Sequence, residues 1–234
     1  MPQNTLTYQE LQARWKALRS HGLRVREVAC VGAPRTLLCV EYGEVELPAV
    51  HLSAGVHGDE PAGVLALLEL AETGALDPRF AYRLWPCTNP TGYDAGTRES
   101  TNGIDINRTF GRGGGSPEAK AIVTSNRDRK FALAIDLHED DGASGFYAYA
   151  YGGGEYGAHA VDAARREGYP IDARGCVRPD PEIEAEAIGG LSLSLLLRRG
   201  AAESVLTFET PSAEPLAKRI AMHRTGVRAA LRVL

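Results

Sequence analysis

No run of apolar residues in the 234-residue sequence approaches the roughly 20 that a membrane-spanning helix needs. The opening "MPQNTLTYQELQARWKALRS" also lacks the apolar stretch of a secretory signal, so the chain is expected to be cytoplasmic, with no membrane partner. Cysteine is sparse: Cys30, Cys39, Cys87 and Cys176 show no CxxC spacing and no dense framework, which excludes a small disulfide-stapled scaffold and leaves reduced thiols or buried filler. An excess of positive charge is missing too. With 26 Lys and Arg against 30 Asp and Glu, the net charge is -4 and there is no basic field to hold nucleic acid. Repeats and linker-like composition shifts are absent as well, and 44% hydrophobic residues suffice for one sizeable core, so residues 1–234 are expected to form one domain.

What is present alternates between strand and helix signals. "TLTYQELQARWKALRSHG" has Thr7 and Glu10 placed as a capping box and Gly22 as a stop, which predicts a helix. Strand-like runs follow in "LRVREVAC", "TLLCVEYG" and "PAVHLSAG", then a helix from Pro61 and a strand in "FAYRLWPC". Thr88 to Gly115 carries Gly, Asn, Asp, Thr and Ser without a periodic apolar face and reads as a long functional loop. "SPEAKAIVTSNRDR" opens with Ser116 as N-cap and Pro117 in the first turn. Beyond it come strands in "FALAIDLHE" and "GFYAYAYGGG", a helix around "EYGAHAVDAARREG", a strand in "ESVLTFETP" and a terminal amphipathic helix. This pattern predicts an α/β fold of three layers, α/β/α, around a mixed, mainly parallel sheet.

The chemistry-bearing residues fall at strand ends. In "SAGVHGDEPAG", His57 and Glu60 occupy a strand-to-helix turn, where two ligand atoms can be aimed at one point; alternatively Glu60 simply complements the positive end of the following helix. "AIDLHED" repeats the logic and delivers His138 as a third ligand. Two imidazoles and one carboxylate leave a position of tetrahedral zinc open for water, as in catalytic sites. Glu209, ending the apolar run "SVLTFETP", is a candidate base; its alternative is an edge-strand acid facing solvent. In the long loop, Arg98, Asn107 and Arg108 stand out. Arg suits a substrate carboxylate or a developing oxyanion, or is a solvated surface charge. His51, His159 and His223 read as structural or surface residues, and His21 suits a helix end.

Taken in order, "HGDE" with its HxxE, "NPTGY", Arg98, "GIDINRTF", "SPEAKAI", the strand-borne His138 and "TFET" resemble the zinc carboxypeptidase (M14-type) metallopeptidase family and its deacylase relatives. The resemblance runs from about His57 to Glu209. It implies one zinc ion held by His57, Glu60 and His138, Glu209 activating the attacking water, and Arg98 stabilising the oxyanion. It further implies that Asn107 and Arg108 hold the substrate's terminal carboxylate and that Asp105 orients the first zinc histidine.

The spacing of "RESTNGIDINR" and the compact length resemble bacterial murein peptide amidases more than digestive carboxypeptidases. Succinylglutamate desuccinylases and aspartoacylases share the "DINRTF"-like block but place the upstream arginine nearer to it. The mobile tyrosine of digestive carboxypeptidases has no counterpart in "EIEAEAIGGLS", which leaves Tyr147, Tyr149 and Tyr151 as substitutes or as packing. In that segment Glu182, Glu184 and Glu186 could meet a substrate ammonium or form a solvated acidic loop. The resulting expectation is a zinc-dependent hydrolase cleaving an amide next to a free carboxylate in a small peptide. The alternatives are an N-acyl amino acid deacylase and a non-catalytic zinc or peptide-binding domain.

Overall fold

The structure is a computed structural model describing residues 6–111, 115–152, 154–179 and 192–234. Thr7 and Glu10 form the expected reciprocal capping box at the head of α1 (Tyr8–Ala17). The chain then tightens into a 3-10 turn over Leu18–His21 and stops at Gly22, whose φ of 83° suits glycine.

β1 (Arg24–Val28), β2 (Leu37–Tyr42) and β3 (Ala49–Ala54) lead into α2 (Pro61–Glu72) and β4 (Ala81–Trp85). After α3 (Pro90–Ala95) and α4 (Pro117–Ser125) come β5 (Phe131–Asp140), β6 (Phe146–Tyr151), α5 (Glu155–Arg166) and β7 (Ile171–Val177). α6 (Leu193–Gly200), β8 (Ala202–Pro211) and α7 (Leu216–Arg232) complete the described elements.

The eight strands form one sheet in the order β1-β2-β4-β3-β5-β8-β6-β7. Its centre, β4-β3-β5-β8, is parallel, and β7 is parallel to β6. β1, β2 and β4 pair antiparallel at one side, and β6 runs against β8 at the other. The expected mixed sheet is therefore present, covered on both faces. One apolar cluster joins α1, α2, α5 and α7 to the sheet, and a second joins α4 and α6 to the opposite face. Strand alternation sorts the side chains: Ile135 and Leu137 on β5, with Leu206 and Phe208 on β8, enter the first cluster. Asp136 and His138, and Thr207 and Glu209, consequently face the other way. α2 reads "PAGVLALLELAE" and is buried almost all round because it lies between the sheet and α7.

The stretch from Thr88 to Gly115 departs from the expected loop. Asn89 accepts the Gly92 N–H at 3.0 Å and Pro90 sits in the first turn, so a short helix, α3, forms there. A 3-10 turn over Ile106–Arg108 is capped by the Asp105 side chain. β7 and α6 had not been anticipated. Glu182, Glu184 and Glu186 lie outside the described residues. All four cysteines are free thiols, and Cys30, Cys39 and Cys87 are buried. Among the described residues no helix is long and apolar enough to cross a membrane.

Candidate metal centre and active-site cavity

Parallel strands deliver their C-terminal residues to one edge of the sheet, and the candidate functional side chains collect there. The chain leaves β3 through Gly55, at φ 64°, where a Cβ would meet Val64 Cγ2 at 2.6 Å. At Gly58 a Cβ would lie 1.9 Å from the Gly92 backbone, so the turn carrying His57 and Glu60 is pressed directly against α3. β5 runs beside β3 in register, Ala54 opposite Leu137, which brings His138 next to that turn.

The three expected ligands converge. Glu60 Oε1 is 2.6 Å from His57 Nδ1, and Glu60 Oε2 is 2.9 Å from His138 Nδ1. One donor atom from each of the three residues lies within 4.8 Å of the others, and all three side chains are buried. The outer ring nitrogens face acids. His138 Nε2 is 3.1 Å from Asp136 Oδ2, whose other oxygen accepts Ser53 Oγ–H at 2.7 Å, while His57 Nε2 is 3.4 Å from Asp105 Oδ1. Asp136 and Ser53 had been given no role. The i, i+2 spacing of "DLH" puts Asp136 and His138 on one strand face and was the available signal; the Ser53 contact depends on the β3–β5 register, which sequence does not reveal.

Glu60 does not cap the helix that it opens. The Ala62 N–H is taken instead by Glu139 Oε1 at 2.7 Å, and Glu139 Oε2 pairs with Arg219 from α7. The Glu60 carboxylate is left for the histidines and for the Glu139 N–H, 3.1 Å away.

The trio lines a cavity of about 400 Å³ together with Arg98, Asn107, Arg108, Glu209 and Tyr147. Arg98 donates to Asp105 Oδ2 from Nε and Nη2 at 3.2 and 3.1 Å and lies 3.8 Å from Glu60 Oε1. Asn107 Oδ1 accepts the Leu193 N–H at 3.0 Å, which ties the loop to the start of α6. Glu209 stands on an interior strand, between β5 and β6, so it is not an edge-strand acid. Its register partners are His138 on one side and Tyr147 on the other. Tyr147 is fixed, its hydroxyl donating to Asp140 Oδ2 at 2.8 Å and Arg174 covering its ring at 3.8 Å.

The electrostatics favour a cation at the trio. Burial opposes charge on His138, yet Glu60 and Asp136 raise its pKa well above the usual imidazole value. Burial likewise opposes ionisation of Glu60, but His138 and His57 hold its pKa below the carboxylate range. Asp105 is also held low despite burial, by His57 and then by Arg98 and Arg108. For Glu209 burial dominates; His138 pulls its pKa down, the nearby Glu60, Asp140 and Asp136 carboxylates push it up, and it rises to about 8. Two imidazoles and a carboxylate, each imidazole backed by a further acid, are the donor set that suits zinc.

The other histidines stay out of the site. His51 is fully buried, with the Phe131 ring edge-on at 5.2 Å; His159 Nδ1 is 2.9 Å from the Glu155 carbonyl; His223 Nε2 is 3.2 Å from Thr210 Oγ1.

Comparison with known proteins agrees with this fold. An inferred metallopeptidase from Shewanella amazonensis superposes with a TM-score of 0.80 over 97% of this chain and 93% of its own, at 22% identity. Carboxypeptidase A from Helicoverpa armigera does so with 0.74 over 99% and 74%, at 16% identity. At such identities these likenesses concern the fold. Carboxypeptidase SOL1 from Arabidopsis thaliana is 33% identical over 117 residues, 41% of this chain but 24% of that protein, so the match spans about a quarter of its length. Residues 46–164, just over half of the chain and including every site residue named above except those from α6, β8 and α7 and Arg174, match the succinylglutamate desuccinylase/aspartoacylase catalytic domain. The chain belongs to the succinylglutamate desuccinylase/aspartoacylase catalytic-domain family.

Proposed function

We propose that the protein is a zinc-dependent hydrolase that cleaves an amide bond next to a free carboxylate, acting as a metallocarboxypeptidase on small peptides, murein peptides among them. The observation that carries this reading is the convergence of His57, Glu60 and His138 within 4.8 Å in a cavity that also holds Glu209 and Arg108. His57 and His138 through Nδ1, with Glu60, would hold the ion. Bound zinc supplies Lewis acidity, polarising the scissile carbonyl and lowering the pKa of water.

The chain's own residues supply the rest. Arg108 and Asn107 fix the substrate carboxylate, and Arg98, held by Asp105, offers N–H groups to the oxygen that gains charge. Glu209 takes the proton of the attacking water and returns it to the leaving amine nitrogen. Its raised proton affinity suits that shuttle, and positive charge at the trio pulls its pKa back toward neutrality.

Charge favours peptides over N-acyl dicarboxylates. Among the described residues lining the cavity, the arginines are Arg98 and Arg108, and both already face Asp105 Oδ2, at 3.1 and 3.9 Å. Asp59, Asp140, Asp141 and Glu209 line much of the remainder. A peptide, whose ammonium groups offset its carboxylates, is matched, whereas N-succinylglutamate brings three carboxylates and no ammonium into an acid-rich cavity. The family match supports the second reading, an N-acyl amino acid deacylase.

Incubation of the zinc-loaded protein with muropeptides, ordinary peptides and N-acyl amino acids, with products read by mass, tests both. Release of a C-terminal residue from a peptide is expected. Turnover confined to N-acetylaspartate or N-succinylglutamate would replace the first reading by the second, and no turnover of any would remove both.

A further inference from the structure

We infer that Glu139 is a positioning residue for the metal centre: it takes over the capping of α2 and thereby leaves the Glu60 carboxylate to His57 and His138. The inference rests on the metal-dependent reading above.

A carboxylate beside a helix start is drawn to the unsatisfied N–H groups there, an attraction that would compete with ligation. Pro61 has no N–H, so Ala62 offers the first free donor beyond Glu60. Glu139 removes that donor from competition by accepting it at 2.7 Å, and its own N–H reaches back to Glu60 Oε2 at 3.1 Å. One residue thus holds the Glu60 corner twice, by side chain and by main chain. β5 places it there because it follows His138 directly and points to the opposite face, toward α2 and α7.

The partner choice argues against a purely stabilising role. Glu139 and Arg219 are both buried, 7% and 2% exposed, and a buried ion pair can commonly be replaced by apolar residues without loss of stability. What an apolar pair cannot supply is an acceptor for the Ala62 N–H.

Two double variants of the full chain isolate that acceptor. Glu139→Gln with Arg219→Met keeps an oxygen at position 139; Glu139→Leu with Arg219→Met does not, and both remove the ion pair. Zinc affinity is measured by competition with a chromophoric chelator, alongside the visible spectrum of the cobalt form and the melting temperature without metal. The Leu–Met variant is expected to bind zinc about 10- to 100-fold more weakly than wild type, with an altered cobalt spectrum, and the Gln–Met variant to recover most of that affinity. Equal zinc affinities in the two variants, whether high or low, overturn the inference. Should the Leu–Met variant not fold, Glu139→Asp, which keeps the charge on a shorter arm, is expected to weaken zinc binding and shift the cobalt spectrum; unchanged values overturn it equally. A wild-type chain that holds no zinc would instead remove the metal reading itself.

Discussion

His138 on β5 and Glu209 on β8 are register partners on adjacent parallel strands, so a candidate ligand and the candidate base stand at the same level of the sheet and on the same face. Neither depends on a mobile loop for its position. Glu209→Gln keeps the shape and removes the base, so turnover should fall about 10²- to 10⁴-fold while zinc binding stays close to wild type. Steady-state kinetics with a chelator-competition assay on the same preparation checks this, and full activity in the variant rules Glu209 out as base.

Asp136 receives Ser53 on one oxygen and His138 Nε2 on the other, which fixes the ring that presents Nδ1 to Glu60. Asp136→Asn should cost about 10- to 100-fold in zinc affinity. An unchanged zinc affinity would mean that the ring is held by its packing alone.

Removing the metal should abolish hydrolysis and lower the melting temperature. An ion present at 100 times its Kd adds about 2.7 kcal/mol to stability. For a chain of this length that corresponds to roughly 5–10 °C in a thermal scan, restored when zinc is added back. A scan unaffected by chelation contradicts a buried ligand trio.

Arg108 is expected to act on the ground state and the transition state alike. Arg108→Ala should raise KM about 10- to 100-fold with a smaller effect on kcat, the loss of a charge-assisted bond to the substrate carboxylate. A fall in kcat at constant KM would move Arg108 to the reacting carbonyl.

The structure also sets an acid limit away from the site. His51 is fully buried, neither ring nitrogen has a hydrogen-bond partner among the described residues, and burial lowers its pKa to about 4. Between pH 4 and the unfolded value near 6.5 the unfolded chain binds the proton and the folded chain does not, so stability rises with pH there and is lost on acidification. The loss approaches about 3 kcal/mol by pH 4. Urea unfolding across this range should show that slope in the wild type and a shallower one in His51→Leu; parallel slopes would assign the acid sensitivity elsewhere.

Much of this was legible in the sequence because the signals were local. Thr7 with Glu10, Pro61, and Ser116 with Pro117 mark helix starts through contacts within one turn, and the structure has those helices. His57, Glu60 and His138 could be nominated because each ends a strand or begins a helix, the places where α/β sheets gather chemistry. β7 was not legible: "IDARGCV" has little apolar alternation, and it gains its place from pairing with β6. α6 is short, and α3 rests on Asn89 and Pro90 within a segment otherwise rich in turn residues. The links Ser53–Asp136 and Glu139–Arg219 span 83 and 80 positions, a distance over which periodicity carries no information.

The close approach of Gly58 to Gly92 makes these two positions a fixed pin between the turn carrying His57 and Glu60 and the segment leading to Arg98. Any side chain at 58 would have to push α3 outward, and Arg98, whose carbonyl the Gly58 N–H meets at 3.4 Å, would travel with it. Variation that retunes substrate choice is therefore free to accumulate around the cavity's outer walls, while at this contact the tolerated alphabet shrinks to a single letter.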